Sequence, residues 1–226
     1  MTLSIIVPVL DEATGIEATL TALAPYRARG CELIVVDGGS RDGTSDLASP
    51  LADRVLAAPR SRATQMNAGA SVARGDILLF LHADTKLPAN ADSLIHDGLA
   101  QSGRVWGRFD VRFDRDGIMP LIAAMMNLRS RLTGIATGDQ AVFVTRAAFD
   151  AVGGFPAQPL MEDIALSARI RRLSRPAYIG ACVTTSARRW RQRGIVRTVL
   201  LMWRLRLAYF LGADPARLAR QYGYAD

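Results

Sequence analysis

Three apolar runs of this 226-residue chain each end in a carboxylate. The first is followed by Asp11 and Glu12, the second by Asp37, and the third by His82, Ala83 and Asp84. Open α/β sheets bind ligands in the crevice outside the carboxyl ends of their strands. Three acidic groups delivered to one crevice suit a nucleotide and a metal ion. Asp84 is placed to hold a divalent cation that bridges two phosphates; the plain alternative is a surface Asp in a loop. Asp37-Gly38-Gly39-Ser40 offers an acceptor for a base imide or a ribose, and its glycines let backbone approach a ligand closely. A tight strand-to-helix turn explains the same residues. Asp11 either hydrogen-bonds a nucleotide or sits at the start of the next helix for electrostatic reasons. Gly38–Gly43 is not a dinucleotide fingerprint, because Ser40 holds the place of the second glycine, which disfavours a nicotinamide enzyme.

The elements that must carry these residues alternate. Strands are expected over 3–10, 32–37, 53–57 and 76–82, and helices over 14–29, 43–50, 62–74 and 90–101. Thr14, with Glu17 three places on, has the form of a capping box. The alternation argues a mostly parallel sheet, and the near-continuous apolar strands argue that both its faces are covered. After Ser102 the pattern changes. A longer strand is expected over 105–113, an apolar helix over 117–133, a short strand over 141–145, and a break at Gly153-Gly154-Phe155-Pro156. A helix over 162–174, a strand over 177–183, an apolar helix over 195–211 and a closing helix from about Asp214 follow. The chain reads as one α/β domain, with a nucleotide-binding half over 1–102 and an acceptor half with C-terminal helices over 103–226.

The net charge is +7, unevenly spread: eleven arginines and no Asp or Glu lie between Ile164 and Ala213. This basic third is a solvated face or a surface for phosphates, on a substrate or on a membrane. No motif for nucleic acid accompanies it. The stretch 195–211 holds nine Leu, Ile, Val or Phe residues but also Arg197, Arg204 and Arg206. The arginines cost roughly +2.5 to +3.5 kcal/mol each if central, against roughly −3 to −5 kcal/mol from the apolar residues, so a membrane span is not expected. The helix instead packs on the domain, lies in a membrane surface or forms a dimer interface. Cys31 and Cys182 have no metal or redox spacing and read as buried reduced thiols, suited to the cytoplasm. No secretory signal is recognised, and the expected location is cytoplasmic or peripheral on the inner membrane face.

Six motifs, taken together and in order, resemble a family 2 glycosyltransferase of the GT-A fold. They are Ile6-Val7-Pro8-Val9-Leu10-Asp11-Glu12, Asp37-Gly38-Gly39-Ser40-Arg41-Asp42-Gly43-Thr44, Arg62 to Gly69 with Asn67, His82-Ala83-Asp84, Met161-Glu162-Asp163, and Arg189-Trp190. More narrowly, the chain is similar to bacterial transferases described as radical-SAM/selenodomain-associated. The resemblance implies a Rossmann-like sheet and inverting transfer of a sugar from a nucleotide-diphosphate-sugar donor to a hydroxyl acceptor; the arginine-rich last third points to a lipid or lipid phosphate at a membrane surface as one acceptor class. It implies that Pro8, Asp11, Glu12, Asp37, Gly38, Arg62, Asn67, Asp84, Arg189 and Trp190 bind the donor. It implies that Asp84, with His82 as a nitrogen donor, holds Mg²⁺ or Mn²⁺. Asp163 is then the general base and Glu162 orients it or binds the acceptor, with Asp139 as a rival base. First-turn acids on a helix explain Glu162 and Asp163 without catalysis. The family often has an acid where His82 stands, and Ser186 departs from the usual first residue of the late motif. Arg188 and Arg189 are candidates for the missing cation. A nucleotide-sugar-binding or scaffold protein that has lost catalysis is the alternative from another class.

Overall fold

A computed structural model of the chain describes residues 1–188, 190 and 194–223. Eight strands form one sheet: β1 (Leu3–Val9), β2 (Glu32–Asp37), β3 (Arg54–Ala57), β4 (Ile77–Phe80), β5 (Thr85–Lys86), β6 (Trp106–Phe113), β7 (Val142–Thr145) and β8 (Ala177–Thr185). Their order is β3-β2-β1-β4-β7-β6-β8-β5. The first four run parallel. β7 is antiparallel to both β4 and β6, β8 is parallel to β6, and β5 is antiparallel to β8. The helices are α1 (Ala13–Ala28), α2 (Thr44–Ala48), α3 (Arg62–Val72), α4 (Ala91–Ser102), α5 (Met119–Thr133), α6 (Arg146–Ala151), α7 (Glu162–Ile170), α8 (Ile195–Phe210) and α9 (Pro215–Tyr222).

Side chains on a strand alternate between faces, and each face of this sheet is covered. Ile5, Val7, Leu33, Val35 and Leu79 pack with Leu20 of α1 and Ile95 of α4. Ile6, Ile34, Val36 and Leu78 pack on the other side with Met66 of α3, Phe149 of α6 and Leu166 of α7. Gly69 lets α3 approach closely: a Cβ there would meet Ile6 Cγ2 at 2.4 Å. Smaller apolar clusters seat α8 and α9 against α7 through Leu205, Leu218 and Ile164, and α5 against Phe113 and Ala187.

Several sequence expectations are corrected. Helix α1 begins at Ala13 with Glu12 as N-cap, not at Thr14, and no side chain of its own caps it. The loop after β2 does so instead: the backbone N–H groups of Asp11, Glu12 and Ala13 donate to Ser40 Oγ, Thr44 Oγ1 and Asp42 Oδ2, each at 2.9 Å. A capping box is a local pattern, and here a partner about thirty residues away supersedes it. The short β5 and α6 were not foreseen, helix α7 ends at Ile170, and β8 runs on to Thr185. Cys31 is buried as expected, whereas Cys182 is half-buried. Among the described residues no helix is long and apolar enough to cross a membrane.

Candidate active site

A cleft of about 920 Å³ opens where β1 and β4 end. Its first wall comes from the parallel half of the sheet and carries Pro8, Glu12, Arg62, Gln65, His82 and Asp84. The opposite wall comes from α5, the turn at 138–140, Trp190, α8 and α9, and carries Asp139, Arg129 and Arg206. Parallel strands ending at one edge bring the first wall together; helix packing brings the second.

Gln65 has no assigned role in the sequence reading, although it stands inside the Arg62–Gly69 motif. Its Nε2 donates to Val9 O and Val36 O, each at 2.8 Å, and so ties the ends of β1 and β2 together. Gly38 allows this: a Cβ there would sit 3.1 Å from the Gln65 amide. Arg62, one turn earlier, lines the cleft.

Four expected donor contacts have other duties here. Asp37 is buried, and its Oδ1 accepts from Gly39 N, Ser40 N and Ser40 Oγ at 3.1, 2.9 and 2.6 Å. Its other oxygen accepts from Ser45 Oγ. Burial opposes its charge, but the Ser40 and Ser45 hydroxyls and the loop N–H groups outweigh it and hold the carboxyl below its ordinary value. Gly38 and Asp37 therefore shape the wall from behind. Asp11 has a φ of +51° and accepts from Arg41 N at 2.9 Å, which locks it to the same loop. Asn67 exchanges hydrogen bonds with Phe155, its Nδ2 donating to Phe155 O and its Oδ1 accepting from Phe155 N, both at 2.9 Å. It braces α3 against the Gly153-Gly154 turn. These side chains lie outside the cleft lining because loop and helix ends consume their polar atoms first.

The acids of the second half converge on one turn. The Gly138 N–H donates to Asp163 Oδ2 at 2.9 Å. His82 Nδ1 lies 3.4 Å from Asp139 Oδ1, and a Cβ on Gly138 would meet His82 Nε2 at 2.3 Å. The ring of His82 is thus held between Asp139 and Gly138, while Asp84 faces the cleft. Asp139 lines the cleft; Asp163 stands behind the turn at the head of α7. Non-glycine residues with positive φ number three among those described: Asp11, Ala141 and Met161, each beside a site residue. Such strain costs on the order of 1–3 kcal/mol and clusters at functional sites. Glu12 pairs with Arg188 Nη2 at 3.2 Å, and Trp190 packs edge-on to Phe113 with ring centroids 5.7 Å apart. Arg189 lies outside the described residues.

Among the described residues no group of three or more His, Cys, Asp or Glu can enclose a cation. The donor that remains is one exposed carboxylate, Asp84, on the cleft wall. That chemistry fits Mg²⁺ or Mn²⁺, since a cation of the Mg²⁺ type keeps several waters and binds through one or two carboxylates plus substrate phosphates, not a protein cage.

Glu162 is buried at the start of α7. Burial, then the charge of Asp163, pushes its carboxyl up to about 7, against the pull of Arg62 and His82. A raised carboxyl stabilises the fold fully below its unfolded value near 4.5, and that stability is lost as pH rises through 7. Glu162→Gln is therefore expected to melt above the wild type at pH 8 and with it at pH 4, the gap being on the order of 3 kcal/mol at most. Thermal melts across that range check the trend; a constant gap would show that charge is not its cause. Arg129 and Arg206 are pressed the other way. Burial, then its neighbour Arg206, lowers Arg129 to about 10, and burial lowers Arg206. Neither has a role in the sequence reading. The available signal was an arginine inside an otherwise apolar helix.

A half-parallel sheet with acids at its strand ends and a mixed second half is the architecture of the GT-A glycosyltransferases. Residues 4–154 match the family model described as glycosyl transferase family 2. The chain belongs to that family. It is similar to a PGL/p-HBAD biosynthesis glycosyltransferase of Mycobacterium bovis (strain BCG / Pasteur 1173P2), at 38% identity over 98 residues, 40% of this chain and 38% of the relative. Its fold is similar to the mannosyltransferase PcManGT from Pyrobaculum calidifontis in complex with GDP-Man and Mn²⁺, with a TM-score of 0.68, 22% identity, and coverage of 91% of this chain and 60% of that one. S. aureus TarS 1-349 in complex with UDP-GlcNAc gives 0.67 at 17% identity, over 82% of this chain and 58% of that one. The chain thus spans less than two thirds of the length of each of these relatives.

Proposed function

We propose that the protein transfers a sugar, with inversion, from a nucleoside-diphosphate sugar to a hydroxyl acceptor. The supporting observation is one cleft with Arg62 and Asp84 on its first wall and Asp139 on the turn opposite, with Asp163 bonded to that turn from behind. Residues 1–102 form the donor side and 103–226 the acceptor side. The acceptor oxygen attacks the anomeric carbon as the bond to the diphosphate oxygen breaks, and the acceptor proton passes to Asp163. The diphosphate leaves with the bonding electron pair. Asp84 is the carboxylate that would hold Mg²⁺ or Mn²⁺, which when bound offsets charge on the departing diphosphate, worth several kcal/mol. His82 keeps the 138–140 turn in place. Arg188 exchanges Glu12 for the donor diphosphate. Asp139 is a second reading for the base, favoured by its place on the cleft wall.

Thermal melts with a panel of nucleoside diphosphates and Mn²⁺ test this reading. One nucleotide is expected to raise the melting temperature only when the metal is present. A flat response across the panel would remove the donor side of the proposal.

The acceptor is read as lipid-borne. Helix α8 exposes Val196, Leu200, Trp203, Leu207 and Phe210 in a single stripe, and α5 exposes Leu121, Leu128 and Leu132. Other faces of the same two helices line the cleft. Exposed Arg197 and Arg204 sit on α8 with its stripe. Apolar anchors flanked by cations suit an anionic lipid surface. The protein is expected to sediment with phosphatidylglycerol vesicles and much less with phosphatidylcholine, and Trp203→Glu to weaken the first by about tenfold. A homodimer in solution that hides this stripe and ignores both vesicles would overturn the assignment.

A further inference from the structure

Two arginines of the acceptor wall line the cleft with buried atoms that lack a partner. Arg129 Nε and Nη2 and Arg206 Nε are buried and make no hydrogen bond to any described residue. Buried polar groups are nearly always satisfied, and each exception calls for an explanation. The arginines come from different helices, α5 and α8, and both line the cleft. They were brought together against mutual repulsion. The carboxylates whose charge they feel are Asp163 and Asp139, at the base side of the cleft, and not Asp84. No ion pair joins either arginine to an acid among the described residues.

The position of Arg129 is enforced. Asn127 on the same helix accepts from Val111 N at 2.9 Å and donates to Val111 O at 3.0 Å, which pins α5 to β6. Fully buried Arg108 adds a bond to Asn127 O at 3.2 Å. The surrounding lining is apolar: Ile122 and Met126 from α5, Val199 and Met202 from α8. A pair of planar cationic forks, each half-buried under an apolar wall, matches a group with several anionic oxygens attached to a less polar body.

We infer that Arg129 and Arg206 form an anion subsite that binds a phosphate-class group on the acceptor. Naming the acceptor as its bearer rests on the transferase reading; the binding of phosphate does not. Two sources share this chemistry, a soluble phosphate monoester and a lipid phosphate.

Calorimetric titration of the full chain with inorganic phosphate and glycerol 3-phosphate, with a nucleoside diphosphate and Mn²⁺ present to fill the donor side, tests the soluble source. Phosphatidylcholine vesicles doped with phosphatidic acid test the lipid source. Arg129→Gln and Arg206→Gln are each expected to weaken phosphate binding by about 10- to 100-fold, the effect of losing a charge-assisted hydrogen bond. Arg129→Lys should keep part of the affinity, because it keeps the charge and loses the fork. Both Gln variants should melt no lower than the wild type, since each removes a charge whose buried atoms lack partners. Phosphate affinity unchanged in the variants would overturn the subsite. So would a collapse of the fold in both, which would make the arginines structural. A chain that binds no nucleotide but holds phosphate through both arginines loses the transferase reading and keeps the subsite. One that binds nucleotide normally, with phosphate indifferent to the arginines, does the reverse.

Discussion

Asp163→Asn is expected to lower the turnover of donor by about 10²- to 10⁴-fold, the range for loss of a general base, with nucleotide affinity within about twofold of wild type. Asparagine preserves the acceptor for the Gly138 N–H, which Asp163 Oδ2 now takes at 2.9 Å. The turn and the His82 ring above it therefore keep their support, while the capacity to take a proton and the bond that Asp163 Oδ1 accepts from Ile164 N at 2.7 Å are lost. Asp139→Asn is expected to cost less than about tenfold, since its link to His82 at 3.4 Å positions the ring and does not accept the acceptor proton. Donor hydrolysis under single-turnover conditions compares the two without the natural acceptor. If Asp139→Asn proves the more damaging, the cleft-lining acid is the base and Asp163 merely holds the turn.

Asp84→Ala comes next in size. Nucleoside diphosphate affinity in Mn²⁺ is expected to fall about 10²-fold, the order of the several kcal/mol that a cation contributes at a phosphate. A chelator should weaken the wild type to the level of the variant and leave the variant unchanged. The expectation follows from a single exposed carboxylate with no cluster of further ligands among the described residues. The cation then depends on protein and donor together. Calorimetry with and without chelator reads this directly. Equal affinity of wild type and variant in Mn²⁺ would place the metal elsewhere.

Much of the first wall of the cleft was legible from residue types. A buried parallel strand is a near-continuous apolar run, and its end is marked by the first charge that cannot follow it into the core. Pro8, Glu12 and Asp84 were found on that logic, and all three line the cleft. At Asp37 and Asn67 the same logic meets side chains already engaged within the protein. Each stands at a strand end or in a site-like motif, yet its polar atoms are taken by Ser40 and Ser45 in one case and Phe155 in the other. Thr14 failed in a related way: the helix starts one residue earlier, with Glu12 as N-cap, and the chain entering it is held through the Asp11, Glu12 and Ala13 amides by Ser40, Thr44 and Asp42.

The amino-acid order thus set the element types, the parallel first half and the edge at which its acids gather, all consequences of local periodicity and of where charge interrupts it. Which polar atoms remain free for a ligand was settled by folding. The partners that engage them lie 3 and 8 positions away for Asp37, about 30 for the amides of Asp11 to Ala13 and 88 for Asn67, and no pattern along the chain ranks that competition. The pairing of Arg129 with Arg206 belongs to the second kind: two helices with separate apolar stripes had to pack side by side before a pair of guanidinium groups could share one cavity.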